Sequence, residues 1–182
     1  IWEKHIEGEQ YLLVGDVARG DGTDSSVFQI IKLSTMETVA EYQGKPTLDM
    51  FAKILYDAGI EYGKCLLVVE NNGIGISVLE KLINLGYPNL YYSMKSSHEF
   101  IEANQGEVND RAIPGFTTST KTRPLIVAKL EEYIRNKVVT LHSSRLFHEM
   151  KTFIWKNGKP QAMRSYNDDL IMSLAIACWV RD

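Results

Sequence analysis

Residues Tyr11–Ser26 read YLLVGDVARGDGTDSS, an apolar run that passes through an aspartate into a glycine-rich loop. The run Tyr11–Val14 is typical of a strand buried on both faces. Asp16 ends this run, and a second β-rich run, Ser26–Ile31, leaves the loop. An aspartate beside a buried strand is costly unless something compensates its charge. The stretch therefore predicts a strand–turn–strand unit with a carboxylate at the edge of the core.

Two more acidic positions stand at the ends of apolar segments. Glu70 ends the run Cys65–Val69, and Asp168-Asp169 opens the run Leu170–Leu174. A crossover connection would place the Glu70 strand parallel to the first strand, with its carboxylate roughly 5 Å from that of the first strand. Mg²⁺ and Mn²⁺ prefer carboxylate oxygens, and a pair of such ions activates water for phosphodiester hydrolysis. We therefore expect a divalent-metal site.

Each carboxylate also has an ordinary structural explanation. Asp16 is compatible with a capping residue of the glycine-rich loop, and Glu70 with an ion-paired strand end. Acidic residues are favoured in the first turn of any helix, which would explain one member of the Asp168-Asp169 pair. Helical spacing places Asp169 above Ser173, on a face with small residues that allow close approach to the sheet. The sequence thus favours Asp169 as the metal ligand and Asp168 as a helper or cap.

Composition agrees with one globular domain. The chain has 182 residues, of which 45% are hydrophobic and 24% charged, enough for a sizeable core. A formal charge of −3 argues against a strongly basic nucleic-acid sleeve. Cys65 and Cys178 lie in apolar runs and are expected to be buried thiols. No apolar run approaches the ~20 residues of a membrane span, and no signal peptide opens the chain, so no membrane association is expected. Because the chain begins with Ile1, we expect a fragment whose residues Ile1–Gln10 are a lead-in.

The order of periodic segments predicts an α/β fold. An antiparallel meander of three strands precedes a helix, a strand, a helix and a strand, and later helices flank a hairpin around Asn157-Gly158. The polar segment Lys95–Ser119 has no periodicity and is expected to be a functional loop. The expected architecture is a mixed sheet with parallel later strands and helices on both faces. The predicted strands are Tyr11–Ala18, Ser26–Leu33, Thr38–Gln43, Cys65–Val69, Leu90–Met94 and Val138–Leu141, and the predicted helices are Thr47–Tyr62, Gly73–Leu85, Thr122–Asn136, Ser143 or Ser144 to about Lys151, and Asp168–Val180.

Three motifs in this order carry a resemblance to a known family. GDVARGDGTDSS, VVENNGIG and SYNDDLIMSLAIA, together with the stretch Thr118–Lys129, resemble the nuclease domain of the large terminase subunit of tailed bacteriophages. The resemblance covers essentially the whole chain, as a single nuclease domain of residues 1–182. It implies a ribonuclease H-like fold and a metal-dependent endonuclease that cuts concatemeric viral DNA during packaging. It also places catalytic, metal-binding carboxylates at Asp16, Glu70 and Asp169, with Asp168 adjacent.

The same resemblance implies partners and a compartment. The expected substrate is double-stranded DNA, the expected cofactors are two Mg²⁺ or Mn²⁺ ions, and the expected location is the cytoplasm of the infected bacterium. The family's large subunit carries a packaging ATPase ahead of this domain and works with a small terminase subunit and a portal. No P-loop pattern GxxxxGK[ST] occurs in this sequence. The fragment should therefore cut DNA without pumping it.

Basic residues suggest where DNA would bind. Lys121, Thr122 and Arg123 open a predicted helix, with Thr122 as its N-cap, and helix N-termini bind phosphates well. The basic residues around the Asn157-Gly158 hairpin are the second choice, and for each cluster a solvated surface is the ordinary alternative.

Three other functions remain open from the sequence. A junction resolvase would use the same carboxylates on branched DNA. An inactive ribonuclease H-like scaffold would only dock partners, but it predicts that the carboxylates are lost. An actin-like sugar kinase is suggested by Asp16 and the segment Gly22–Ser25, although such kinases need a second phosphate loop and a second lobe.

Overall fold

A computed structural model of the chain describes residues 1–18, 24–94 and 112–182. Most of the predicted loop Lys95–Ser119, and residues 19–23 of the predicted glycine-rich loop, lie outside the described residues. Within the described ranges there are eight strands and five helices. In chain order they are β1 (Tyr11–Asp16), β2 (Ser26–Lys32), β3 (Glu37–Gly44), α1 (Leu48–Glu61), β4 (Leu66–Val69), α2 (Gly75–Asn84), β5 (Tyr92–Met94), β6 (Ala112–Pro114), α3 (Thr122–Arg135), α4 (Ser144–Lys151), β7 (Phe153–Lys156), β8 (Lys159–Ala162) and α5 (Asp169–Arg181).

The central sheet has four strands in the order β3-β2-β1-β4. β1, β2 and β3 are antiparallel neighbours, as expected for strands joined by short turns. β4 returns through α1 and pairs parallel to β1, with Gly15 opposite Val69. The predicted mixed sheet, antiparallel first and parallel after the crossover, is confirmed.

Two apolar cores cover the two faces of this sheet, because side chains alternate along each strand. Leu12 and Val14 of β1 face the core formed with α3, α4 and α5. Tyr11 and Leu13 face the opposite core, formed with α1 and α2. α5 is buried along most of its length, and its 13 residues read DLIMSLAIACWVR. No helix in the described part of the chain is long and apolar enough to cross a membrane.

Two predicted strands differ from the structure. Leu90 forms one parallel bridge to Leu67, after which the chain leaves the sheet and β5 pairs with β6 instead. In the predicted strand Val138–Leu141, Thr140 makes a single bridge to Glu37 at the edge of β3. Both segments are short, and periodicity does not tell which neighbour a short segment pairs with. The predicted β7–β8 hairpin is confirmed.

The first residues pack against the sheet. The backbone N–H of Trp2 donates to the Val39 carbonyl at 2.7 Å. The Tyr62 hydroxyl donates to the Glu3 carbonyl at 2.6 Å. The segment Ile1–Gln10 thus includes residues bonded both to β3 and to Tyr62, the residue that follows α1.

Candidate metal centre

The candidate centre begins where β1 and β4 end. The N–H of Glu70 donates to the Gly15 carbonyl at 3.0 Å, which sets Asp16 and Glu70 side by side at the carboxyl ends of two parallel strands. Burial, the charges of Glu70 and Asp169, and a hydrogen bond with Glu70 raise the pKa of Asp16 well above its usual range. Two carboxyl groups can hydrogen-bond to each other only if one holds a proton. In the metal-free protein, Asp16 therefore holds a proton more readily than an exposed aspartate does.

The third carboxylate comes from the first turn of α5. The Ser173 hydroxyl donates to the Val14 carbonyl at 3.2 Å, so α5 lies directly over β1. Asp169 lies one turn earlier on the same helix face, as the sequence predicted, and its charge acts on Asp16. Burial raises the pKa of Asp169 to about 6; the charges of Asp24, Asp168 and Glu70 add to this, and a hydrogen bond from the Ser25 N–H opposes it.

The chemistry of these oxygens fits a hard divalent cation. Asp169 Oδ2 is buried and has no hydrogen-bond partner among the described residues. A buried carboxylate oxygen without a partner is costly unless a cation or a proton satisfies it. Within residues 1–18, 24–94 and 112–182, no three His, Cys, Asp or Glu side chains are already gathered around one point as metal ligands. The three carboxylates are electrostatically coupled neighbours, and a cation would have to draw them together. Their roles as metal ligands stay a prediction.

Asp168 does not have the capping role that the sequence suggested. It occupies the N-cap position of α5, but its side chain makes no capping hydrogen bond. Its Oδ2 instead accepts from the Arg123 guanidinium at 2.5 Å and from the Ala162 N–H at 3.0 Å. The carboxylate therefore joins α3 and the β7–β8 hairpin to the start of α5. Sequence spacing does not reveal such long-range partners.

The N-terminus of α5 is capped by Glu149, which the sequence analysis missed. Glu149 Oε2 accepts from the N–H groups of Leu170 and Ile171 at 3.0 and 3.1 Å. Glu149 lies on the buried face of α4 with Leu146. The sequence signal that could have indicated this role is the position of Glu149 on the same face of the predicted helix as the apolar residue Leu146. The sequence analysis also did not predict that Asp24, in the stretch Tyr11–Ser26, is a neighbour of Asp169.

The chain around Glu70 is closely packed. The Asn72 side-chain amide donates to Glu70 Oε1 at 3.1 Å and to the Thr118 carbonyl at 2.6 Å. Asn72 does not cap α2, which has no side-chain cap, and its amide orients the Glu70 carboxylate. A Cβ at Gly75 would lie 1.9 Å from the Glu70 carbonyl oxygen. The second glycine of VVENNGIG is thus required by the close approach of α2 to Glu70.

The predicted DNA segment lies beside the carboxylates. α3 begins with Lys121 at its N-cap position, so Thr122 is not the cap. The Ser119 hydroxyl accepts from the N–H groups of Lys121 and Thr122 at 3.2 and 3.0 Å and takes that role. Lys121 is exposed, whereas Arg123 is bonded to Asp168 and donates to the Pro160 carbonyl at 2.9 Å. DNA binding by these residues stays a prediction.

Comparison with solved structures identifies the fold. No model of a known protein family matches the sequence. The large terminase nuclease from thermophilic phage G20c with bound magnesium gives a TM-score of 0.73 at 18% identity, over 97% of this chain and 84% of that chain. The nuclease domain of the large terminase subunit gp2 of bacterial virus Sf6 gives 0.60 at 13% identity, over 97% and 90% of the two chains. The human cytomegalovirus terminase nuclease domain gives 0.62 at 9% identity, over 96% and 83%. The resemblance seen in the three motifs is confirmed at the level of the fold: this chain is folded as a large terminase nuclease domain.

Proposed function

We propose that this chain is a metal-dependent DNA endonuclease that cuts concatemeric viral DNA during genome packaging, by two-metal phosphodiester hydrolysis. The fold supports a terminase nuclease, but a fold alone does not fix an activity. The observation that carries the proposal is the group of Asp16, Glu70 and Asp169 at one edge of the sheet, with an unpartnered buried oxygen on Asp169. The G20c nuclease has been determined with magnesium, cobalt and zinc bound, which supports a divalent ion here.

The protein's own residues would prepare this centre. The raised pKa of Asp16 reflects crowding of negative charge that a cation would relieve, and Asp169 Oδ2 has no competing partner among the described residues. Asn72 holds the Glu70 carboxylate in one orientation. Bound divalent ions would supply an activated water and stabilise the charge of the leaving phosphodiester oxygen. The carboxylates are thus the catalytic residues of the proposal, and Asp168 is their neighbour, fixed by Arg123.

The DNA path of the proposal runs over the start of α3. Thr118 accepts the hydrogen bond of the Asn72 amide that also orients Glu70, and Arg123 reaches Asp168. The segment 118–123 therefore borders the carboxylates on two sides. Lys121 and the backbone at the start of α3 would contact phosphates of double-stranded DNA without reading bases. The remaining partners of the proposal are an N-terminal packaging ATPase domain of the same subunit, a small terminase subunit and a portal, in the host cytoplasm.

The test is cleavage of supercoiled plasmid with Mg²⁺ or Mn²⁺, with and without EDTA. We expect nicked and linear products without sequence preference, and only with a divalent ion. Asp16→Asn should abolish cleavage, whereas Asp57→Asn, which removes an exposed carboxylate of α1 paired with Lys53, should leave it unchanged. Cleavage in EDTA, or no cleavage with Mn²⁺ at high protein concentration, would contradict the proposal. Preferential cleavage of four-way junctions would favour the resolvase alternative.

A further inference from the structure

The first turn of α5 receives its cap from another helix. The N–H groups of Leu170 and Ile171 are buried, and the residue at the N-cap position, Asp168, does not bond to them. Glu149, near the end of α4, supplies one carboxylate oxygen to both. Unpaired buried N–H groups at a helix start are costly, so this contact determines whether the first turn forms as observed.

This cap is placed in an unfavourable electrostatic position. Glu149 is 9% exposed. Burial, together with the charges of Asp169 and Asp168, raises the pKa of Glu149 to about 7. The two hydrogen bonds from backbone N–H groups lower this pKa but do not outweigh the burial. A serine, threonine or asparagine that caps its own helix would avoid a buried charge. The residue at that position is instead committed to Arg123 and Ala162, and the cap comes from α4.

The geometry connects Glu149 to the direction of the Asp169 carboxylate. The two N–H groups that Glu149 holds belong to the residues immediately after Asp169. One turn further along, Ser173 bonds to Val14 of β1. Asp169 therefore lies between a cap contact and a contact to the central strand. If the cap is lost, the helix start is free to fray, and the Asp169 side chain loses its fixed backbone.

We propose that Glu149 is a positioning residue for the candidate metal centre, because its carboxylate fixes the first turn of α5 and thereby aims Asp169 towards Asp16 and Glu70. The inference rests on the proposed function for the identity of the centre. Glu149 itself is not a ligand in this account. Removing a residue that orients a metal ligand typically weakens metal binding about 10- to 100-fold.

The test measures Mn²⁺ affinity of the 182-residue chain by isothermal titration calorimetry, well below the melting temperature of each variant. Glu149→Ala removes the cap, and Glu149→Asp keeps the charge but shortens its reach. Glu149→Gln keeps an oxygen that can accept the same two N–H bonds. Thr47→Ala is the matched control, because it removes the Thr47 side-chain cap of α1, a helix that carries none of the proposed ligands.

We expect Glu149→Ala and Glu149→Asp to weaken Mn²⁺ binding about 10- to 100-fold, Glu149→Gln to stay within about threefold of wild type, and Thr47→Ala to leave binding unchanged. If Glu149→Ala does not fold, the contrast between the Asp and Gln variants decides. If Glu149→Ala or Glu149→Asp binds Mn²⁺ with wild-type affinity, the inference is overturned and the proposed function is unaffected. The same conclusion follows if Glu149→Gln weakens Mn²⁺ binding as much as Glu149→Ala does. Failure of the wild-type chain to bind Mn²⁺ overturns the proposed function, and the inference with it.

Discussion

Neutralising two adjacent aspartates should change stability in opposite directions. Asp168 and Asp169 are neighbours at the start of α5, and Asp→Asn removes the same charge from each. Asp168 is held by a guanidinium and a backbone N–H. Asp169 has one buried oxygen without a partner and lies near other carboxylates. In EDTA at pH 8, we expect Asp168→Asn to destabilise the protein and Asp169→Asn to stabilise it.

The magnitudes follow from the surroundings of each side chain. The pKa of Asp169 is raised from 3.8 to about 6. Each pKa unit corresponds to about 1.4 kcal/mol, so charging Asp169 in the folded protein costs at most about 3 kcal/mol. Asp169 is partly exposed, and solvent screening reduces the expected gain to about 1 kcal/mol. The Asp168 and Arg123 side chains are 20% and 27% exposed, and weakening this charged pair should cost about 1–2 kcal/mol. For a domain of this size, 1 kcal/mol corresponds to about 2–4 °C in Tm.

The pH dependence provides an internal control. A carboxyl group whose pKa is higher in the folded state binds its proton more tightly there, so stability falls as pH rises. For Asp169 the penalty is absent below 3.8 and complete above about 6. The advantage of Asp169→Asn over wild type should therefore be largest at pH 8 and disappear near pH ~4.

The assay is thermal unfolding in EDTA, paired with plasmid cleavage in Mn²⁺. Asp169→Asn should lose a thousandfold or more in rate, roughly 4 kcal/mol of transition-state stabilisation, while its metal-free Tm rises by about 2–4 °C. Asp168→Asn should keep more activity while its Tm falls by about 3–6 °C. A lower Tm for Asp169→Asn in EDTA at pH 8 would refute the argument, because it would mean that this carboxylate stabilises the metal-free fold.

Three further predictions test the surroundings of the centre. Lys121→Ala should weaken DNA binding about equally for all sequences and reduce the slope of log affinity against log salt concentration by about 1. Fluorescence anisotropy between low and moderate salt measures this slope, and an unchanged slope would place the DNA path elsewhere. Gly75→Ala should destabilise the protein severely, because its Cβ would lie 1.9 Å from a carbonyl oxygen. Gly73→Ala has open space around it but a φ of +55°, so urea unfolding should show a loss of only about 1–2 kcal/mol in the free energy of unfolding. Equal losses for the two variants would contradict the packing argument. Burial raises the thiol pKa of Cys65 to about 11 and that of Cys178 to about 12. Both thiols should therefore react with a thiol reagent at pH 8 only as the protein unfolds. Rapid labelling of the native protein would contradict this expectation.

The parts of the fold that were predicted correctly depend on local or nearest-neighbour rules. The continuous apolar run of β1, which is buried on both faces, and the crossover to β4 place Asp16 and Glu70 at one edge of the sheet. The turn Asn157-Gly158 has φ values of +53° and +74°, which asparagine and glycine adopt most readily, and the hairpin forms there. Such features are visible in short stretches of sequence.

The features that were missed depend on side chains that meet across the fold. The cap of α5 was assigned to Asp168 because capping is usually local, but Glu149 reaches it from α4. DNA binding by Arg123 stays a prediction, but the sequence did not indicate that its guanidinium pairs with Asp168. Periodicity gives the face on which a residue lies, but it does not give the identity of a charged partner in another element.

The parallel pairing of β1 with β4, and the position of α5 over β1, have a consequence for how activity arises during folding. The three proposed ligands are residues 16, 70 and 169, so they meet only after contacts between distant parts of the chain have formed. Contacts of high sequence separation form slowly, because closing long loops is entropically unfavourable. A nascent chain that has folded β1–β4 but not yet docked α5 would hold two of the three carboxylates and no more. The topology thus ties the appearance of the proposed nuclease activity to folding of the whole domain, so a partly synthesised chain would lack a complete set of proposed ligands.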